Sequence, residues 1–291
     1  MNVIEIDFGR LHEPDERQLL DQACRTHGFF ALGNHGIDTK LQEQFSAEMQ
    51  RYFARPVEEK LAQERTENNP FGFYNKELTK NRMDQKEIFD VSLVEATLWP
   101  DDEAFNQICS AWSAACHNVA LKLLDSIFTC LEVSPEQDCF ARHSSFLRLN
   151  YYPQQAQTSD DVFGVSHHTD AGALTLLLQE QVASLQFEID GNWHTVPASP
   201  NHLLVNLGDM LQVWSNDAYR APLHRVLTNS KSDRYSAPYF LNPDYAANVT
   251  PLIGESPRYR TINWQEFRSG RAAGDYADIG TEVQISHYRI A

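Results

Sequence analysis

The chain of 291 residues predicts a mainly β protein with flanking α-helices. Three observations carry that expectation. Between residues 145 and 240, short apolar runs alternate with turn residues: 146–152, 174–178, 185–189, 194–196, 203–207, 211–214, 225–228 and 236–241. That many short strands fit a closed or two-sheet β core. The part before it carries helical spacing instead, clearest in Phe105, Ile108, Cys109, Trp112, Ala115, Cys116, Val119, Leu123, Leu124 and Ile127. This amphipathic helix over 101–131 is suited to supporting one face of a sheet. No linker separates the two parts, so one domain over 1–291 is expected: 1–140 mostly helical, 145–241 the β core and 258–291 a C-terminal helix and tail.

Taken in order, residues 3–6 alternate like a short strand. Pro14 stands near the start of a helix running to about Thr26, where its missing N–H costs little. Phe29-Phe30-Ala31-Leu32 reads as a strand stopped by Gly33-Asn34-His35-Gly36, which gives His35 a structural role in the turn. A helix over 39–54 yields to Pro56, and another follows over 57–63. Residues 68–90 hold few periodic apolar positions but many aromatics, as in loops that cover a pocket. Ser134-Pro135-Glu136 reads as the cap of a short helix. Asp190-Gly191-Asn192 and Ser215-Asn216-Asp217 are hairpin-like breaks. Trp264-Gln265-Glu266-Phe267 belongs to a helix packed on the outside.

A formal net charge of −16 argues against a nucleic-acid partner, which calls for a basic face. It leaves room for a small anion, since a few arginines make a pocket locally positive. No apolar stretch reaches the roughly 18 residues of a membrane span, and the first residues carry acids rather than a basic signal-peptide start. Five cysteines without a C-x-x-C pair fit reduced thiols in the cytoplasm.

Chemistry concentrates in Val165-Ser166-His167-His168-Thr169-Asp170. On a strand, His168 and Asp170 leave the same face and His167 the other. An imidazole and a carboxylate are two legs of a metal site, and His224 is the best third. Two histidines and one carboxylate suit non-haem Fe(II), because positions stay open for substrate and oxygen. Arg234 and Ser236 also share a face. A planar guanidinium beside a hydroxyl is suited to holding a carboxylate by charge-assisted, bidentate hydrogen bonds. Asp209, after Gly208, is expected to cap backbone amides; His194, His202 and His287 lack partner spacing and read as structural or exposed.

Asn150-Tyr151-Tyr152-Pro153, His168-Thr169-Asp170-Ala171-Gly172-Ala173-Leu174-Thr175-Leu176-Leu177, Val205-Asn206-Leu207-Gly208-Asp209, His224-Arg225-Val226 and Arg234-Tyr235-Ser236 occur in that order. With Gly28-Phe29-Phe30 and Asn34-His35-Gly36-Ile37 ahead of them, they resemble the isopenicillin N synthase-like branch of the Fe(II)/2-oxoglutarate-dependent oxygenases, over nearly the whole chain. The resemblance implies a double-stranded β-helix, or jelly roll, supported by N-terminal helices. It implies that His168, Asp170 and His224 hold Fe(II), that Arg234 and Ser236 meet the far carboxylate of 2-oxoglutarate, and that Asn150 and Tyr152 hydrogen-bond that cosubstrate.

Phe240 matches an aromatic position lining the substrate pocket, and Trp214 is expected near it; Phe71, Tyr74, Ile88 and Asp90 are further candidate substrate contacts. The implied reaction consumes O2 and 2-oxoglutarate, with ascorbate as a candidate reductant, and releases succinate and CO2 while a small molecule is hydroxylated, desaturated or cyclised. Isopenicillin N synthase and aminocyclopropane-carboxylate oxidase share the triad and the Arg-x-Ser without using 2-oxoglutarate. An oxidase of that kind is therefore one alternative, and a non-catalytic jelly roll holding Zn(II) is another; the Asn-Tyr-Tyr-Pro run favours the 2-oxoglutarate users. Substrate identity and oligomeric state are open at this level.

Overall fold

The computed structural model describes residues 3–66, 68–79, 82–134, 139–155, 163–179, 183–197, 199, 201–228, 231–276 and 283–290. The elements run β1 (Glu5–Asp7), α1 (Pro14–Thr26), β2 (Phe29–Gly33), α2 (Thr39–Phe53), α3 (Val57–Leu61), β3 (Phe73–Tyr74), β4 (Leu78–Thr79), β5 (Arg82–Met83), β6 (Glu87–Val91) and α4 (Glu103–Cys130). They continue with β7 (Phe146–Tyr152), β8 (Phe163–His168), β9 (Leu174–Gln179), β10 (Leu185–Ile189), β11 (Asn192–Thr195) and β12 (Leu203–Leu207). The last are α5 (Asp209–Trp214), β13 (His224–Leu227), β14 (Arg234–Leu241), β15 (Asn248–Val249), β16 (Ile262–Asn263) and α6 (Trp264–Tyr276).

Among the described residues, eight strands form one sheet in the order β1-β2-β12-β9-β14-β7-β6-β3, and four form a second in the order β11-β10-β13-β8. The two facing sheets make the jelly roll. Alternation along each strand sorts its side chains between two cores. Leu149, Leu176, Leu178, Val205 and Tyr239 of the large sheet join Trp112, Leu123 and Ile127 of α4 in a helix-side core. Tyr152, Leu177 and Leu204 face the other way and meet Val165, Leu185, Phe187 and Val226 of the small sheet.

Local signals set the element ends. Pro14 is at the start of α1, followed by Asp15 and Glu16 in the first turn, where acids favour the helix dipole. The Asp102 carboxylate caps α4 by accepting from the Phe105 N–H at 3.2 Å. Asp190 and Gly191 have φ of 50° and 79°, which gives β10 and β11 a tight two-residue turn. Gly28 has φ +67°, and a Cβ there would stand 2.2 Å from the Arg220 carbonyl oxygen.

Several expectations are corrected. Residues 211–214 are not a strand but the end of α5; so short an apolar run fits either period. Asp209 and Met210 donate their N–H groups to the carbonyls of Asp170 and Gly172, which commits the chain to turn there. Asn216 and Asp217, with φ of 50° and 69°, then close this helix instead of a hairpin. The strand carrying His168 ends at that residue, so Asp170 lies past it. Trp264 and Phe267 of α6 are fully buried, so this helix inserts into the core and does not merely lie on it. Most of the cap at Ser134-Pro135-Glu136 lies outside the described residues. Among the described residues, no helix is long and apolar enough to cross a membrane.

Trp112 is fully buried, its ring stacked on Phe45 with centroids 4.9 Å apart. Trp112→Ala should cost about 3–5 kcal/mol of unfolding free energy in urea titration. A loss below about 1 kcal/mol would mean that α4 does not anchor the large sheet in this way.

Candidate metal centre

His168 closes β8 and His224 opens β13, and the two are cross-strand partners with ring centroids 4.3 Å apart. Asp170 comes from the turn between β8 and β9. Its Oδ1 lies 3.7 Å from His168 Nε2 and 3.6 Å from His224 Nε2. The three donor atoms all fall within 4.8 Å of one another. Strand alternation therefore does not explain why Asp170 joins the histidines; the turn does.

Each side chain is aimed by a second contact. His168 Nδ1 is 2.8 Å from the Ser166 carbonyl and His224 Nδ1 is 3.1 Å from that of Pro222. An Nδ1–H donated to a carbonyl leaves the Nε2 lone pair facing the centre. Asp170 Oδ2 accepts from Asn206 Nδ2 at 2.7 Å and from the Thr175 hydroxyl, which leaves Oδ1 toward the histidines. Burial pushes the His168 imidazole well down, with His224 adding to it, so the ring is neutral at pH 7. Burial would raise the Asp170 carboxyl, but His224, His168 and the hydrogen bonds from Asn206 and Thr175 outweigh it and hold it below the usual range. Two imidazoles with their Nε2 atoms turned inward and one ionised carboxylate are a donor set fit for Fe(II). Asn206 stands in Val205-Asn206-Leu207-Gly208-Asp209 and Thr175 in the run after Asp170, yet no spacing rule ties either side chain to the carboxylate.

The loop itself is held tightly. The Asp209 N–H donates to the Asp170 carbonyl at 2.7 Å. A Cβ on Gly208 would stand 2.2 Å from the Gly172 oxygen, so only glycine lets α5 start this close to the metal loop. The Asp209 carboxylate accepts from Arg271 Nη1 at 3.0 Å.

Arg234 and Ser236 of β14 are registered with Tyr152 and Asn150 of β7. Arg234 is 2% exposed, its guanidinium 4.8 Å from the Tyr152 ring centroid and its Nη1 3.5 Å from Ser236 Oγ. Asn150 Nδ2 reaches the same hydroxyl at 3.5 Å. On β14, Phe240 pairs with Thr175 at the metal end and Ser236 with Gln179 farther along, a span of about 13 Å.

The other candidates divide. Phe240 packs on Phe146 with centroids 4.8 Å apart, and Phe146 on Phe71 at 5.9 Å, which makes one aromatic row; Phe146 was not anticipated. Ile88 is fully buried and registered with Asn150. Asp90 is gripped by Arg148 at 2.7 and 2.8 Å, and Tyr74 lies under the Arg65 guanidinium at 4.1 Å. Trp214 is elsewhere: it packs against Phe128 and Phe140 in the helix-side core, because α5 turns it away from the site.

Asp90 belongs to a buried ion network. Glu77 pairs with Lys86 at 2.6 Å and with Arg148 at 3.0 Å, and Arg65 bridges Glu77 and Asp90. Burial would raise the Glu77 carboxyl, but Arg148, Lys86 and Arg65 overcome this and hold it far below the usual range.

The pattern of the 2OG-Fe(II) oxygenase superfamily matches residues 143–243. That described as non-haem dioxygenase in morphine synthesis N-terminal matches residues 2–112. Gibberellin 2-beta-dioxygenase 8 of Arabidopsis thaliana is 31% identical over 295 residues, covering 97% of this chain and 86% of that protein. Oxoglutarate-dependent flavonoid 7-O-demethylase 1 of Ocimum basilicum is 32% identical over 285 residues, with 91% and 76% covered. The crystal structure of JOX2 in complex with 2OG, Fe and JA superposes with a TM-score of 0.85 at 25% identity, over 92% of this chain and 84% of that one. That of a dioxygenase for auxin oxidation in rice gives 0.82 at 22% identity, over 99% and 100%, a likeness of fold.

Asn206→Ala should weaken Mn(II) binding about 10–100-fold in calorimetric titration, because Asp170 loses one of its two orienting donors. Unchanged affinity would mean that Asn206 does not orient the carboxylate. Glu77→Gln should cost about 3–5 kcal/mol at pH 7 by leaving buried cations underpaired. A depressed carboxyl stabilises above its unfolded value, about 4.3, and loses that contribution as pH falls toward its folded one. The gap from wild type should therefore narrow in acid; urea midpoints across pH read it, and a gap that widens contradicts the assignment.

Proposed function

The chain belongs to the 2OG-Fe(II) oxygenase superfamily and is a non-haem Fe(II), 2-oxoglutarate-dependent oxygenase, and from that premise we propose how its residues divide the work. His168, Asp170 and His224 hold Fe(II); Arg234 and Ser236 hold the far carboxylate of 2-oxoglutarate, with Asn150 and Tyr152 beside them. One observation carries the assignment: a buried Arg234 on the strand whose other end, Phe240, pairs with the residue orienting Asp170. The alternatives without 2-oxoglutarate or without turnover have no comparable support.

Bound Fe(II) and 2-oxoglutarate supply the oxygen-dependent redox chemistry that couples decarboxylation to oxidation of a C–H bond. The protein's part is position and dryness. His168 and His224 keep their protons on Nδ1, against the carbonyls of Ser166 and Pro222, and offer Nε2 to the metal. Asp170 would offer Oδ1 beside them and complete the donor set for the ion. Arg234 meets a carboxylate in a water-poor space between sheets, where a charge-assisted pair is strong. Phe240, Phe146 and Phe71 give the neighbouring space an apolar wall, which supports a small organic substrate with an apolar body. The proteins named as a gibberellin dioxygenase and a flavonoid demethylase, and JOX2 with JA, act on or bind such molecules by their names, which supports the same class.

The helices and the β core serve as one catalytic unit, supported by the packing of α4 and α6 behind the large sheet. A cytoplasmic location is supported by the buried single thiols of Cys24, Cys109 and Cys116.

Succinate release from 2-oxoglutarate, screened with metabolite extracts in the presence of Fe(II), is the direct test. Release above the substrate-free background is expected. Arg234→Met should raise the KM for 2-oxoglutarate at least about thirtyfold, since a buried charge pair is worth about 2–5 kcal/mol, while kcat changes less. An unchanged KM would remove Arg234 from the cosubstrate site.

A further inference from the structure

The tail helix α6 reaches the metal loop through one side chain. Arg271 is 9% exposed, and its guanidinium donates to groups on three segments of the chain. Its Nη2 is 2.7 Å from the carbonyl of Thr169, the residue between the ligands His168 and Asp170. Its Nη1 is 3.0 Å from Asp209 Oδ2 and 3.1 Å from Gln284 Oε1. Asp209 in turn gives its N–H to the carbonyl of Asp170 at 2.7 Å. Two successive carbonyls of the ligand-bearing loop are thus tied to one guanidinium, the first directly and the second through Asp209. Neither link touches a donor atom of the triad.

We propose that Arg271 is a positioning residue of the metal centre, which fixes the Thr169–Asp170 backbone so that Asp170 Oδ1 faces the two histidines. The planar fork of a guanidinium suits this task, because it spans a carbonyl and a carboxylate in fixed directions, whereas an ammonium ion is a single point. Thr175 and Asn206 fix the Asp170 side chain from the large sheet. Arg271 fixes the backbone of the same loop from α6. A loop between two strands has soft dihedrals, and a metal site tolerates little drift in its ligands, so both restraints are needed.

The assignment rests on His168, Asp170 and His224 being the ligand set, and the test separates the two. Co(II) is titrated into the metal-free protein under nitrogen and followed by its visible absorption, for wild type, His168→Ala, Arg271→Met, Arg271→Lys and Arg268→Met. Arg268 is on the same helix but bonds to the Ser144 carbonyl and the Tyr245 hydroxyl, away from the metal loop. If His168→Ala binds Co(II) as wild type does, the ligand set is wrong. With the set upheld, Arg271→Met is expected to bind Co(II) about 10–100-fold more weakly, Arg271→Lys to recover part of that, and Arg268→Met to stay within about twofold. Wild-type affinity in a folded Arg271→Met overturns the proposal, as does an equal loss in Arg268→Met, which would make helix docking the cause. Should Arg271→Met fail to fold, Asp209→Asn replaces it: weaker Co(II) binding is expected, and unchanged binding overturns the proposal.

Discussion

The two oxygens of the Asp170 carboxylate do different jobs, and the rest of the site depends on that division. Oδ2 accepts from Thr175 of β9 and Asn206 of β12, both in the large sheet. Oδ1 looks toward His168 and His224, both in the small one. One residue outside any strand therefore joins the two sheets at the end where the metal belongs. Were either oxygen released, the carboxylate would rotate, and the histidines would face each other without a negative charge between them.

Electrostatics explain why such an arrangement stands inside an acidic protein. A net charge of −16 repels a dianion at long range, but salt screens that field within about 10 Å. Within the sandwich the dielectric is low and near neighbours decide. Arg234 is buried at one end of the inter-sheet space, and at the other a divalent ion would outweigh the single Asp170 carboxylate. The network of Glu77, Asp84 and Asp90 with Arg65, Lys86 and Arg148, by contrast, balances its charges internally and acts as an anchor for the segment before β6.

Much of this was legible before any coordinates, for reasons that differ by element. Period-two alternation is a property of the backbone, so the shared faces of Asn150 with Tyr152 on β7 and of Arg234, Ser236 and Phe240 on β14 could be read directly. Proline marks the start of α1 in a local way, and apolar spacing marks α4. His168 and Asp170 were grouped correctly in space by a rule that does not apply to them, since the strand stops between them. Residues 211–214 are misread because three apolar positions in four cannot distinguish two periods, and Trp214, expected near Phe240, packs against Phe128 and Phe140 instead. Asn206, Thr175 and Arg271 carry no readable mark: each acts on Asp170 or its loop through register or helix docking, which no nearest-neighbour pattern encodes.

In the proposed site 2-oxoglutarate would join the same ion that His168, Asp170 and His224 would hold. Adding 2-oxoglutarate to the Fe(II)-loaded protein under nitrogen tests it most directly, through the visible charge-transfer absorption that a keto acid chelated to Fe(II) produces. The band should need both components and vanish in His224→Ala; in Arg234→Met it should appear only at higher 2-oxoglutarate. No band with both components present, or a band of full strength without His224, would contradict the account.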